Sequence, residues 1–170
     1  MHSSPLTALC PAAVAETWTP PRPHPYLRPK GRTASGRERG LTLSFTLPGE
    51  IRSAYIGRTA IAAALEAHGL VRFAWPTTHA ASELIAVTAR MSPGRELYVS
   101  LRHRDDAVRL LVWDQHPHHV EPDLAALCEE RRRRALWLLA AVVDDWGGEW
   151  GVCEASQSQQ GTKSWVSLPR

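Results

Sequence analysis

The chain has 170 residues, with 20 Lys or Arg, 17 Asp or Glu and eight His, for a formal charge of +3. Six basic residues (Arg22, Arg28, Lys30, Arg32, Arg37, Arg39) but only Glu16 and Glu38 fall within residues 1–40, so that segment carries +4 and the rest of the chain −1. A near-neutral body of this size can bury one ordinary core, and its charge gives no support to a nucleic-acid-binding function. Residues 1–40 also hold seven of the thirteen prolines, five of them between Pro20 and Pro29. Such a segment buries too little apolar area to offset its ordering entropy, and it reads as a disordered Pro/Arg-rich tail ahead of one domain, 41–170. A polyproline ligand or a tether to an acidic surface are the alternatives for it.

Leu41, Leu43, Phe45 and Leu47 alternate, the period of a half-buried strand, before Pro48-Gly49. From Arg52 to His68 the apolar residues recur at helical spacing, and Gly69 closes the segment. A second helix is expected from about Pro76 to Met91. Leu97, Val99 and Leu101, then Val108, Leu110 and Val112, alternate on either side of Arg104-Asp105-Asp106, which predicts an antiparallel hairpin. Asp123 is placed to cap a long helix from about Leu124 to Trp146, ended by Gly147-Gly148. Strands at about Glu149–Glu154 and Lys163–Leu168 complete the order β-α-α-β-β-α-β-β. The fold class is α+β: a two-layer sandwich with helices covering one face of a mixed, largely antiparallel sheet.

Short motifs stand in order along this body: Leu47-Pro48, Ala81-Ser82-Glu83-Leu84-Ile85, Leu110-Leu111-Val112-Trp113-Asp114, Asp145-Trp146-Gly147 and Gly161-Thr162-Lys163-Ser164-Trp165. In this order the set resembles the bacterial anti-sigma-factor serine/threonine kinases, histidine-kinase-like ATPases of the Bergerat (GHKL) fold. The matches are to the "SELV" half of the family's N-box and to its "VWD", "D-x-W-G" and closing "GKTVW" stretches. The resemblance implies that Glu83 is the base-like catalytic residue. It also implies that Asp114 accepts a hydrogen bond from the adenine amino group and that Thr162 belongs to the nucleotide site.

Two parts of that pattern are missing. The Mg²⁺-binding asparagine is replaced by Val87, whose isopropyl group cannot hold a metal. The glycine-rich phosphate loop is replaced by Glu129-Glu130-Arg131-Arg132-Arg133-Arg134-Ala135-Leu136, with no glycine to bring the backbone close to a phosphate. The implied function is an ATP-binding regulatory protein with weak or absent kinase activity, ATP held weakly and Mg²⁺ doubtful. The alternative is a nucleotide-independent pseudo-kinase module. In either case the implied partner is a sigma factor or an anti-sigma antagonist, with a homodimer in keeping with the family; neither nucleic acid nor membrane is expected.

The four arginines could clamp phosphate in place of the metal. Alternatively they form a solvated helical face, because Glu129–Arg133 and Glu130–Arg134 are i,i+4 pairs. Glu83 could equally pair with Arg90 or Arg102. His116, His118 and His119 could bind a transition metal, but no further ligand stands in register, and the stretch reads as a solvated loop. Cys10, Cys128 and Cys153 are too dispersed for a zinc motif and odd in number, so no metal centre and no disulfide framework is expected. Trp113, Trp137, Trp146 and Trp165 are expected in the core. Leu6 to Ala15 lacks a basic n-region and is broken by Pro11, unlike a signal peptide. With no run near the ~18 apolar residues of a membrane span, the chain is expected to be soluble and cytoplasmic.

Overall fold

The computed structural model describes residues 9–10, 40–117, 119–155 and 160–170. The expected disordered tail lies outside the described residues apart from Leu9, Cys10 and Gly40. Leu9 and Cys10 depart from that expectation, because they dock on the body: the Leu9 N–H donates to the Arg90 carbonyl at 2.9 Å, and Cys10 is 2% exposed.

The described elements run β1 (Thr42–Pro48), α1 (Ser53–Ala67), a 3-10 turn (Val71–Phe73), α2 (Ala74–Met91), β2 (Glu96–Arg104), β3 (Ala107–Asp114), α3 (Pro122–Ala135), α4 (Trp137–Asp145), β4 (Glu149–Glu154) and β5 (Thr162–Leu168). The strands form one open sheet in the order β1-β2-β3-β5-β4. Every pairing in it is antiparallel, so the expected mixed character is absent among the described residues. The reason is connectivity: β1 and β2 are separated by two helices yet run in opposite directions, and the other neighbours are hairpins or an equivalent return.

The alternation read from the sequence becomes rows across this sheet. Leu43, Leu101, Leu110, Val166 and Trp150 stand opposite one another on successive strands. Val99, Leu101, Val108, Leu110, Val112, Val166 and Leu168 are fully buried on the helix side, where Ile61, Leu65, Leu84, Ile85, Leu139 and Val143 meet them. Each such side chain contributes about 1.5–3 kcal/mol by leaving water. The central helix is α2, which packs on β3, β5, α1 and α4.

Local signals set the ends of the elements. The hairpin turn puts Asp105 and Asp106 at φ 53° and 58°, the left-handed pair that a two-residue loop needs to match strand twist. Gly69 and Gly147 end α1 and α4 at positive φ. The N–H groups of Gly69 and Leu70 return to Glu66 and Leu65, and those of Gly147 and Gly148 to Asp144 and Val143, satisfying carbonyls left open at the helix ends. The single long helix over 124–146 is not formed. It divides at Leu136 (φ −94°, ψ 17°), whose N–H is shared between the carbonyls of Arg132 and Arg133. Two packing faces meet there: α3 buries Cys128 and Arg132, whereas α4 buries Leu139 and Val143. Asp123 lies in the first turn of α3 behind Glu121 and Pro122 and makes no capping bond, contrary to expectation. No helix among the described residues is long and apolar enough to cross a membrane.

Candidate functional site

Along β3 the inward positions are Val108, Leu110, Val112 and then Asp114, so a carboxylate closes an apolar row. Asp114 is 0% exposed, and a buried charge must be compensated where it stands. Arg132 Nη1, from α3, donates to Asp114 Oδ2 at 2.8 Å and to Ser164 Oγ at 3.2 Å. The backbone N–H of His116 donates to Asp114 Oδ1 at 2.7 Å, and the Ser92 hydroxyl approaches the same oxygen at 3.4 Å. Arg132 is itself 2% exposed. The four arginines are therefore not one solvated face. Arg133 and Arg134 do pair with Glu129 and Glu130, but Arg131 donates to the Leu9 carbonyl at 3.2 Å and Arg132 points into the core.

Next to this ion pair lies a second cluster. The loop after β3 turns His116 inward to 6% exposure, held by Nδ1 against the Met91 carbonyl at 3.1 Å. A carbonyl only accepts, so Nδ1 carries the proton and Nε2 keeps a free lone pair. That Nε2 lies 3.1 Å from His119 Nε2 and 3.3 Å from Cys128 Sγ, and Cys10 Sγ lies 3.4 Å from His119 Nε2. The four donor atoms are all within 4.8 Å of one another, and Cys10, His116 and Cys128 are buried. Burial pushes the His116 pKa below its ordinary value, against the opposing pull of the Asp114 carboxylate. Burial also pushes the Cys128 thiol up to about 12; its hydrogen bond with Cys10 adds to this, and the charges of Arg132 and Arg131 oppose it. The solvated-loop expectation for this stretch is thus corrected at His116; His118 lies outside the described residues.

A cavity of ≈370 Å³ opens beside the cluster, lined by His116, Cys128, Arg132, Cys153, Gly161 and Thr162 among others. Thr162 stands directly opposite Asp114 across the β3–β5 ladder, so two of the three expected site residues are neighbours. Glu83 is not with them. It is half-buried on α2, eight residues before Met91, about 12 Å along the helix axis. Val87, at the expected magnesium position, is buried in the core at 4% exposure. Of the four tryptophans expected in the core, Trp113, Trp146 and Trp165 are half-buried, whereas Trp137 is 69% exposed.

The participation of Cys10 and Cys128 is absent from the sequence expectations. One signal for it exists: His116, His119 and Cys128 lie within a single short stretch, with Cys128 twelve positions after His116. Cys10, 109 positions from His119, joins them only through the fold. No protein-family model matches the chain, and no curated protein matches it in sequence.

Proposed function

We propose that this chain is a regulatory interaction module of the anti-sigma-kinase type that works without nucleotide, controlling a sigma factor or an anti-sigma antagonist by contact. The observation that carries this reading is the internal use of Asp114. An adenine amino group must reach an acceptor there, but the Asp114 carboxylate is fully buried, with Arg132 seated on one oxygen and the His116 amide on the other. Admitting adenine would mean displacing Arg132 from a buried pair, which costs about 3–5 kcal/mol when one partner is left behind. Phosphoryl transfer depends on metal and phosphate placement. The α3 helix runs through the stretch where the family pattern expects a glycine loop, and a core valine takes the place of the metal ligand.

Weak ATP binding is the second reading, favoured by the ≈370 Å³ cavity beside Thr162, which lies within the usual range for a ligand pocket. Calorimetric titration with ATP, with and without Mg²⁺, separates the two. The expected result is no saturation up to millimolar ATP, together with binding of nucleotide-free protein to its sigma factor or antagonist. Micromolar saturation that disappears in Asp114→Ala would overturn the first reading in favour of the second.

A further inference from the structure

We infer that Cys10, His116, His119 and Cys128 form a closed Cys2His2 site for a transition-metal ion, with Zn²⁺ the ion that suits this donor set. The site rests on the geometry of its donors and does not depend on whether the chain binds nucleotide. With Zn–N and Zn–S bonds of ordinary length, a tetrahedral site has donor separations of about 3.3 Å for N–N, 3.6 Å for N–S and 3.8 Å for S–S. Three of the six edges, 3.1 Å between the two Nε2 atoms and 3.3 and 3.4 Å between nitrogen and sulfur, fall a few tenths of an ångström short of these values, and all four donor atoms lie within 4.8 Å of one another, close enough for one ion to reach them all. The four donors are brought together from three parts of the chain: the Leu9–Cys10 segment, the loop after β3, and α3.

The surroundings are also those of a metal ligand set. Nδ1 of His116 is tied to the Met91 carbonyl, which fixes the ring with Nε2 directed at the cluster, the outer hydrogen bond that metal-bound histidines ordinarily have. Cys10 is delivered by a peptide gripped on both sides: the Leu9 N–H bonds to Arg90 and the Leu9 carbonyl accepts from Arg131. Cys128 is fixed four residues before Arg132 on the same face of α3, so the Arg132–Asp114 pair sets its position. Two sulfurs and two imidazoles select Zn²⁺ over hard cations such as Mg²⁺ or Ca²⁺. On binding, both thiols give their protons to solvent, and the two thiolates neutralise the ion. Four protein ligands leave no open position, so the site is structural, and it ties residue 10 to the loop after β3 and to α3.

The test uses the full chain. After expression with zinc and desalting, elemental analysis should find about one zinc per chain, and the cobalt-substituted protein should show the intense visible bands and thiolate charge transfer of a tetrahedral S2N2 site. Cys10→Ser and His119→Ala should each lower zinc retention at least tenfold against a competing chelator. Cys153→Ser, whose cysteine is exposed and outside the cluster, should retain zinc fully. Cys10 lies outside every helix and strand, so Cys10→Ser decides the matter even where Cys128→Ser fails to fold. Three results would overturn the site: far less than stoichiometric zinc in the unaltered chain, an octahedral cobalt spectrum, or a Cys10→Ser protein that keeps both zinc and spectrum.

Discussion

Asp114 ends an inward-facing row of hydrocarbon, and Arg132 neutralises it at 2.8 Å with both side chains out of solvent. Removing one partner of such a pair leaves a buried charge unmatched, whereas removing both leaves no charge, only the His116 N–H and the Ser92 and Ser164 hydroxyls short of a partner. Arg132→Met should therefore lower stability by about 3–5 kcal/mol in urea unfolding, and adding Asp114→Leu should recover part of that loss. A double variant as unstable as the single one would mean that the ion pair is not the source of the effect. The carboxylate at this position was legible in the sequence, because it continues the alternation of Val108, Leu110 and Val112. Its partner was not. Arg132 sits within a run whose neighbours Arg133 and Arg134 pair with glutamates one turn earlier, and nothing in that local pattern distinguishes the one arginine that turns inward.

At the scale of elements, what was legible were the features set by near neighbours: the hairpin, the four α+β connections and the glycine-terminated helices. The division of α3 from α4 was not, because Cys128, Arg132, Leu136, Leu139 and Val143 keep one unbroken helical spacing while the two halves pack on different surfaces. The contact between α1 and α2 is likewise invisible without the fold. Gly57 on α1 faces Ile85 on α2 so closely that a Cβ would lie 2.3 Å from Ile85 Cδ1, with Leu47 Cδ1 next at 3.2 Å. Gly57→Ala therefore combines a helix-propensity gain of about 1 kcal/mol with a forced rotamer shift costing about 0.5–1.5 kcal/mol, and should be close to neutral. Ile85→Val deletes the obstructing methyl. In that background Gly57→Ala should stabilise by about 1 kcal/mol, a sign of coupling that a double-mutant cycle by urea unfolding would detect. Equal effects in both backgrounds would show that the two helices do not meet at this point.

For the whole molecule, the question is what residues 1–39 add to a body that already holds its core. Among the described residues, every buried apolar side chain except Cys10 lies at or beyond Leu41. A chain beginning at Gly40 should therefore unfold in one cooperative urea transition with nearly the slope of the full chain, because among the described residues it loses the burial of Leu9 and Cys10 alone. It also sheds the +4 of the basic segment and leaves a body of charge −1, so any retention of the full chain on an anionic column should disappear. Zinc separates the two chains more sharply. An ion bound at about 100 times its dissociation constant stabilises the native state by about 2.7 kcal/mol, or about 5–10 °C in Tm for a domain of this size. The full chain should show that gain on adding zinc and lose it to a chelator. The shortened chain, which retains His116, His119 and Cys128 but lacks Cys10, should gain much less, because three ligands leave one corner of the tetrahedron to water. An equal rise in both would mean that Cys10 contributes nothing to the site, and that Leu9 and Cys10 are held to the body by packing and by the hydrogen bonds of Leu9 to Arg90 and Arg131.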